Sequence, residues 1–75
     1  MKSNQFLGRL KSMGKNVDWL ENQMTKNGEQ VSRSAIYKKL RGESEFTAQQ
    51  IKVISKVMNF TNDEMLDIFF EELVS

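Results

Sequence analysis

"VSRSAIYKKLRGESEFTAQQ", residues 31–50, decides how the chain folds and what it offers to a partner. Ser32 stands where a side-chain oxygen can accept a backbone N–H from the first turn of a helix. Val31 before it and Ile36 after it have the spacing of a hydrophobic staple. Placed at 100° steps, Ile36 and Leu40 fall on one side with Ala35 beside them, while Ser34, Tyr37, Lys38 and Arg41 gather on the other and Arg33 sits in the first turn. Gly42 is the stop, and Thr47 with Gln50 three residues on opens the next helix as a capping box. No acid lies on the outward face between Glu29 and Glu43. A solvated helix usually mixes signs to gain i,i+4 pairs. The segment is therefore either a probe for nucleic acid or a basic face left to water, and its surroundings decide between them.

Working outward, the same signals recur. Thr61 has Glu64 three residues on, a second capping box, with Phe60 and Met65 as its staple; Phe46 and Ile51 do the same around Thr47. Upstream, Asn4 is placed to cap a helix that buries Phe6, Leu7, Leu10 and Met13 and ends at Gly14. Asn16 is placed to cap another that buries Val17, Leu20 and Met24 and ends at Asn27-Gly28, where the left-handed conformation closes helices. The chain is predicted to form five helices and no strand: 5–13, 17–26, 33–41, 48–58 and 62–73. It contains no repeat, low-complexity tract or linker, so residues 1–75 are expected to form one all-α domain.

With 75 residues and no proline, cysteine or histidine, such a domain must hold together by packing alone or with a partner subunit. No apolar run approaches the ~20 residues of a membrane span, and the N-terminal "MKSNQFLGRL" lacks the apolar stretch of a signal peptide. A soluble, cytoplasmic protein without a membrane partner is expected, and the lack of cysteine fits a reducing compartment. The net charge of +1 hides an asymmetry: residues 1–42 carry nine Lys/Arg against three acids, and residues 43–75 carry two lysines against seven acids. A basic front and an acidic back suit a polyanion partner for the first part, although uneven scatter by chance gives the same count.

Arg and Lys on the 33–41 helix have the chemistry to reach guanine O6/N7 or phosphate, Ser34 can donate or accept, and the helix N-terminus favours an anion. Two consecutive short helices, the second opened by Ser32, describe a helix-turn-helix. From about Leu7 to Phe70 the chain resembles the Cro/repressor-type (lambda repressor-like, XRE) family of small phage regulators. The likeness is carried by "VSRSAIYKKLRGESEFTAQQIKVISKVMNFTNDEMLDIFF", with its Val-Ser entry, buried Ile36, Gly42 and Thr-capped last helix. The resemblance implies a compact five-helix lambda repressor-like domain that places its third helix in the major groove of an operator, as a homodimer on double-stranded DNA. It puts the base-contacting positions on Arg33, Ser34, Tyr37 and Lys38, with Arg41 near the backbone; Ser32, Lys26 and Asn27 are further candidates for phosphate.

Two features depart from the family pattern. Glu21 stands where a small residue is usual in the second helix, and "TKNGEQ" (25–30) makes the turn before Val31 several residues longer than the usual tight one. Either the second helix runs on by a turn or a loop protrudes beside the third. The same departures suit an alternative function, an antirepressor or protein-interaction module that docks on a phage repressor and blocks its DNA contacts.

Other chemistries find little support. Without His or Cys there is no zinc site of the usual kind and no imidazole base, so neither a metal, a cofactor nor an enzyme is expected. Asp63, Glu64, Asp67, Glu71 and Glu72 read as a solvated face with its first-turn acids suited to the helix dipole. The four glycines lie too far apart to cradle a phosphate. Trp19 adjoins the buried stripe of the second helix and reads as core or rim in preference to a base-stacking platform. In the last helix Met65, Leu66, Phe69 and Leu73 are expected to face the core. Ile68, Phe69, Phe70, Leu73 and Val74 give more apolar surface than one side requires; this surplus is expected to meet a second subunit or another protein, with core filling as the alternative.

Overall fold

A computed structural model describes residues 1–70 of the chain. They form an all-α domain of five helices with no strand: α1 Ser3–Ser12, α2 Val17–Lys26, α3 Arg33–Leu40, α4 Ala48–Val57 and α5 Asn62–Phe69. α2 packs on both α3 and α4, α1 on α5, and α4 on α5. The helix starts follow local chemistry. Side-chain oxygens of Asn16, Ser32, Thr47 and Thr61 accept the backbone N–H three residues on, and both Thr caps are reciprocated by Gln50 and Glu64.

Helix ends are equally regular. After α2 the Gly28 amide donates to the Thr25 carbonyl and the Glu29 amide to the Met24 carbonyl, the paired bonds of a left-handed C-terminal stop. Gly28 takes φ 86°, and nothing lies within 4 Å of where a Cβ would stand, so a side chain there costs conformational strain and no clash. The same pair of bonds closes α1, α3 and α4; at the end of α4 the left-handed residue is Asn59 (φ 59°).

α1 departs from expectation at its start. Asn4 lies inside the helix and exposed, and no side chain caps its first turn. Tertiary bonds hold this end: the Lys2 amide donates to the Ile68 carbonyl at 2.8 Å, and the Ser3 hydroxyl to the Leu40 carbonyl at 2.5 Å. α5 ends at Phe69, short of the expected 73. Phe70 leaves helical geometry (φ −126°, ψ 42°) and packs against the core edge, and residues 71–73 of the expected helix lie outside the described residues.

The core runs through all five helices. Phe69 is its aromatic hub, with ring centroids 6.0 Å from Phe6, 6.0 Å from Phe46 and 6.3 Å from Phe60, edge to face in each case. Ile36, Leu20, Met24 and Ile54 are fully buried around the α2, α3 and α4 contacts. Burial of Ile36 alone contributes on the order of 1.5–3 kcal/mol to holding α3 in place. Leu7 and Leu66, expected inside, are instead exposed at 38% and 37%. Neighbouring aromatic and aliphatic side chains, Phe6 on α1 and Ile68 on α5, take the inward positions. No helix among the described residues is long and apolar enough to cross a membrane.

Candidate nucleic-acid interface

α3 is anchored by Ile36 and Leu40 and turns Arg33, Ser34, Tyr37, Lys38 and Arg41 outward, all exposed. These five residues form one continuous face, as their spacing predicts. Ser32 caps the helix, its Oγ accepting the Ala35 amide at 3.1 Å. Lys39 leaves the face: its Nζ lies 3.4 Å from the Ser44 hydroxyl and over the Phe46 ring.

The face is not free of acids. Asp18, from the first turn of α2, has Oδ1 3.3 Å from the Arg33 guanidinium. Glu43, just past Gly42, lies 2.5 Å from Nε of Arg41. The absence of acids within α3 therefore does not carry over to the assembled surface, because α2 and the loop after α3 bring carboxylates to both ends. Lys38, in the middle of the helix, has no carboxylate partner among the described residues. The Arg33 guanidinium also sits over the Tyr37 ring, 5.7 Å from its centroid. Hydrogen bonding to Tyr37, and then the charge of Asp18, hold Arg33 above its ordinary pKa.

Glu21, the departure inside α2, has a structural role. Its Oε2 accepts the backbone N–H of Arg33 at 2.8 Å, capping α3 from across the turn. Two of the amides at the start of α3 are thus taken, Arg33 by Glu21 and Ala35 by Ser32, and a carboxylate sits where the helix N-terminus was expected to hold phosphate. The long turn is settled in the same way: α2 stops at Lys26, residues 27–32 form a loop, and Glu21 ties its far end back to α2.

Lys26 is exposed at the start of that loop. Asn27 is half-buried, and its Nδ2 donates to the Gln23 carbonyl at 2.7 Å, which ties up one donor expected to reach a phosphate. Trp19 lies half-buried against the core with Lys15 Nζ 5.5 Å from its ring centroid, so it is a rim residue and not an open stacking platform.

Comparison with known protein families, characterised proteins and solved structures gives no match.

The surface assigned to a partner on α5 needs correction. Ile68 (2% exposed) and Phe69 (8%) are core residues, with Phe69 packed against the Phe6 and Phe46 rings. Phe70 is half-buried against the same core, and Leu73 and Val74 lie outside the described residues. Leu66, one turn before Phe70, is the apolar side chain that α5 exposes. Sequence reading missed the roles of three acids at the α3 surface: Glu43, two residues past Arg41, and, on α2, the pair Asp18 and Glu21. The signal for the α2 pair was two acids three residues apart on one flank of the Val17-Leu20-Met24 stripe, the flank against which α3 packs.

Proposed function

We propose that the protein is a DNA-binding regulator that inserts α3 into the major groove of a duplex, in the manner of the Cro/repressor-type proteins it resembles. One observation carries this: an eight-residue helix, pinned by Ile36 and Leu40, presents Arg33, Ser34, Tyr37, Lys38 and Arg41 as one exposed face beside its partner helix α2. A helix fits the width of the major groove, and Arg, Lys and Ser are the side chains that pair with base edges there. Arg33 and Lys38 are assigned to bases, Arg41 and Lys26 to phosphates. Two copies on a pseudo-palindromic site belong to the same proposal, and light scattering of the free and DNA-bound protein checks the stoichiometry.

A protein-docking function has one observation in its favour. Asp18 and Glu43 already neutralise Arg33 and Arg41, and an exposed Tyr37 between paired arginines is a composition that protein interfaces enrich. Selection from a pool of randomised duplexes separates the two. DNA reading predicts enrichment of a defined motif, lost in a folded Lys38→Ala variant. Recovery of unrelated sequences by wild type and variant alike overturns it in favour of docking on a repressor.

A further inference from the structure

Arg33 is the most restrained residue on the α3 face. Its backbone amide is bonded to Glu21, its guanidinium lies 3.3 Å from Asp18, and the Tyr37 ring backs it at 5.7 Å. Glu43 beside Arg41 weakens a phosphate contact there as Asp18 does beside Arg33, but only Arg33 is also backed by a ring and held by a side-chain bond to its backbone amide. We propose that Asp18 is a specificity-determining residue, which holds Arg33 for a base edge and keeps it away from the DNA backbone. The proposal rests on the DNA-reading function above and adds to it the division of labour within the site.

The chemistry follows from the shape of the guanidinium. It has five N–H donors in a planar fork, and a carboxylate against one part leaves the others for a pair of acceptors. Guanine offers such a pair, O6 and N7, at the floor of the major groove and without a formal charge. The two non-bridging oxygens of a phosphate also offer a pair of acceptors but share a negative charge, so they are repelled by the Asp18 carboxylate as they approach Arg33. Asp18 thus taxes the charged ligand more than the neutral one. Binding of arbitrary DNA, which depends on phosphate contacts, weakens more than binding of a guanine-bearing site.

Asp18 suits this role because little else depends on it. Its side chain is 59% exposed, and the α2 start is capped by Asn16, so Asp18→Asn should fold normally. The test is fluorescence anisotropy on a selected duplex and a scrambled one across a salt series, with wild type, Asp18→Asn, Arg33→Ala and the double variant. Asp63→Asn on α5 controls for the change in net charge.

Asp18→Asn is expected to tighten binding to the scrambled duplex by about 2- to 5-fold, the range an exposed ion pair is worth. Its log-log salt slope should steepen by about 0.9, one added phosphate contact. Affinity for the selected duplex should gain less, so discrimination falls. In the Arg33→Ala background the substitution should have no effect beyond that of Asp63→Asn. Equal gains on both duplexes, equal gains from Asp63→Asn, or an effect that survives Arg33→Ala each overturns the role of Asp18 while leaving DNA reading intact. A wild type that binds both duplexes alike overturns the DNA-reading function and this role with it.

Discussion

Glu21→Ala should destabilise the domain although no core atom is touched, because the carboxylate caps the first amide of α3 from 12 residues away. The bond is 2.8 Å long and charge-assisted, a type worth about 1.5–3 kcal/mol when well sheltered. Glu21 is only half-buried and Arg33 is exposed, so the value should fall to that of an ordinary cap, about 1 kcal/mol. The better helix propensity of Ala inside α2 offsets a few tenths of a kcal/mol, leaving a net loss of about 0.5–1 kcal/mol. For a domain of this size that lowers Tm by roughly 2–8 °C. Ser32→Ala, which removes the cap on the Ala35 amide, should cost about 1 kcal/mol. The two together should cost less than their sum, since a frayed first turn has less left to lose. Urea unfolding followed by far-ultraviolet circular dichroism measures all three, and an unchanged m-value keeps them comparable. An Ala variant at Glu21 as stable as wild type, with Ser32→Ala destabilised, would refute the cross-turn cap.

Phe69→Ala should cost about 3–5 kcal/mol, enough to leave a domain this small largely unfolded, whereas Leu66→Glu should leave the melt nearly unchanged. Thermal melts that reverse this order would return Phe69 to the surface. Glu64 is held at about 2, well below its usual 4.5, first by the hydrogen bond from Arg9 and then by the Thr61 amide. A depressed folded-state pKa adds stability that is complete above the ordinary carboxylate range and lost as pH falls toward about 2. Melts over that interval should therefore decline less steeply in Glu64→Gln than in wild type. The Ser55 hydroxyl is buried without a partner among the described residues. Ser55→Ala should raise stability by about 1 kcal/mol in the same assay, and a loss would reveal a hydrogen bond there.

The parts of the fold legible in the sequence are those fixed by neighbours three to five residues apart. Ser32, Thr47 and Thr61 mark helix starts because a cap bonds its own first turn, and Gly28 marks a stop because its φ is local. The outward face of α3 was legible for the same reason: Ile36 and Leu40 leave Arg33, Ser34, Tyr37, Lys38 and Arg41 only one side to occupy. Contacts made after the helices assemble were not. The anchor of α1 on Ile68 and Leu40 lies 66 and 37 residues away in sequence, so tertiary bonds that no local spacing reveals take the place of the cap expected from Asn4. Asp18 reaches Arg33 from α2, which no spacing within α3 reveals, whereas Glu43 pairs with Arg41 from only two residues on. In and just after α5, Met65, Leu66, Ile68, Phe69 and Phe70 spread over more than half of the helical wheel. Periodicity could not choose between Leu66 and Ile68, and the Phe6-Phe46-Phe69 cluster made the choice.

The central claim is that the α3 face reads DNA, and amide chemical-shift mapping tests it most directly. Nitrogen-15-labelled protein is titrated with the duplex recovered by selection, and shift changes are followed residue by residue. Saturating changes concentrated on residues 32–41, with smaller ones at Asp18 and Lys26 and none across the exposed side of α5 around Leu66, are the predicted result. Changes that avoid α3, or a spectrum that does not respond to any duplex, would contradict it.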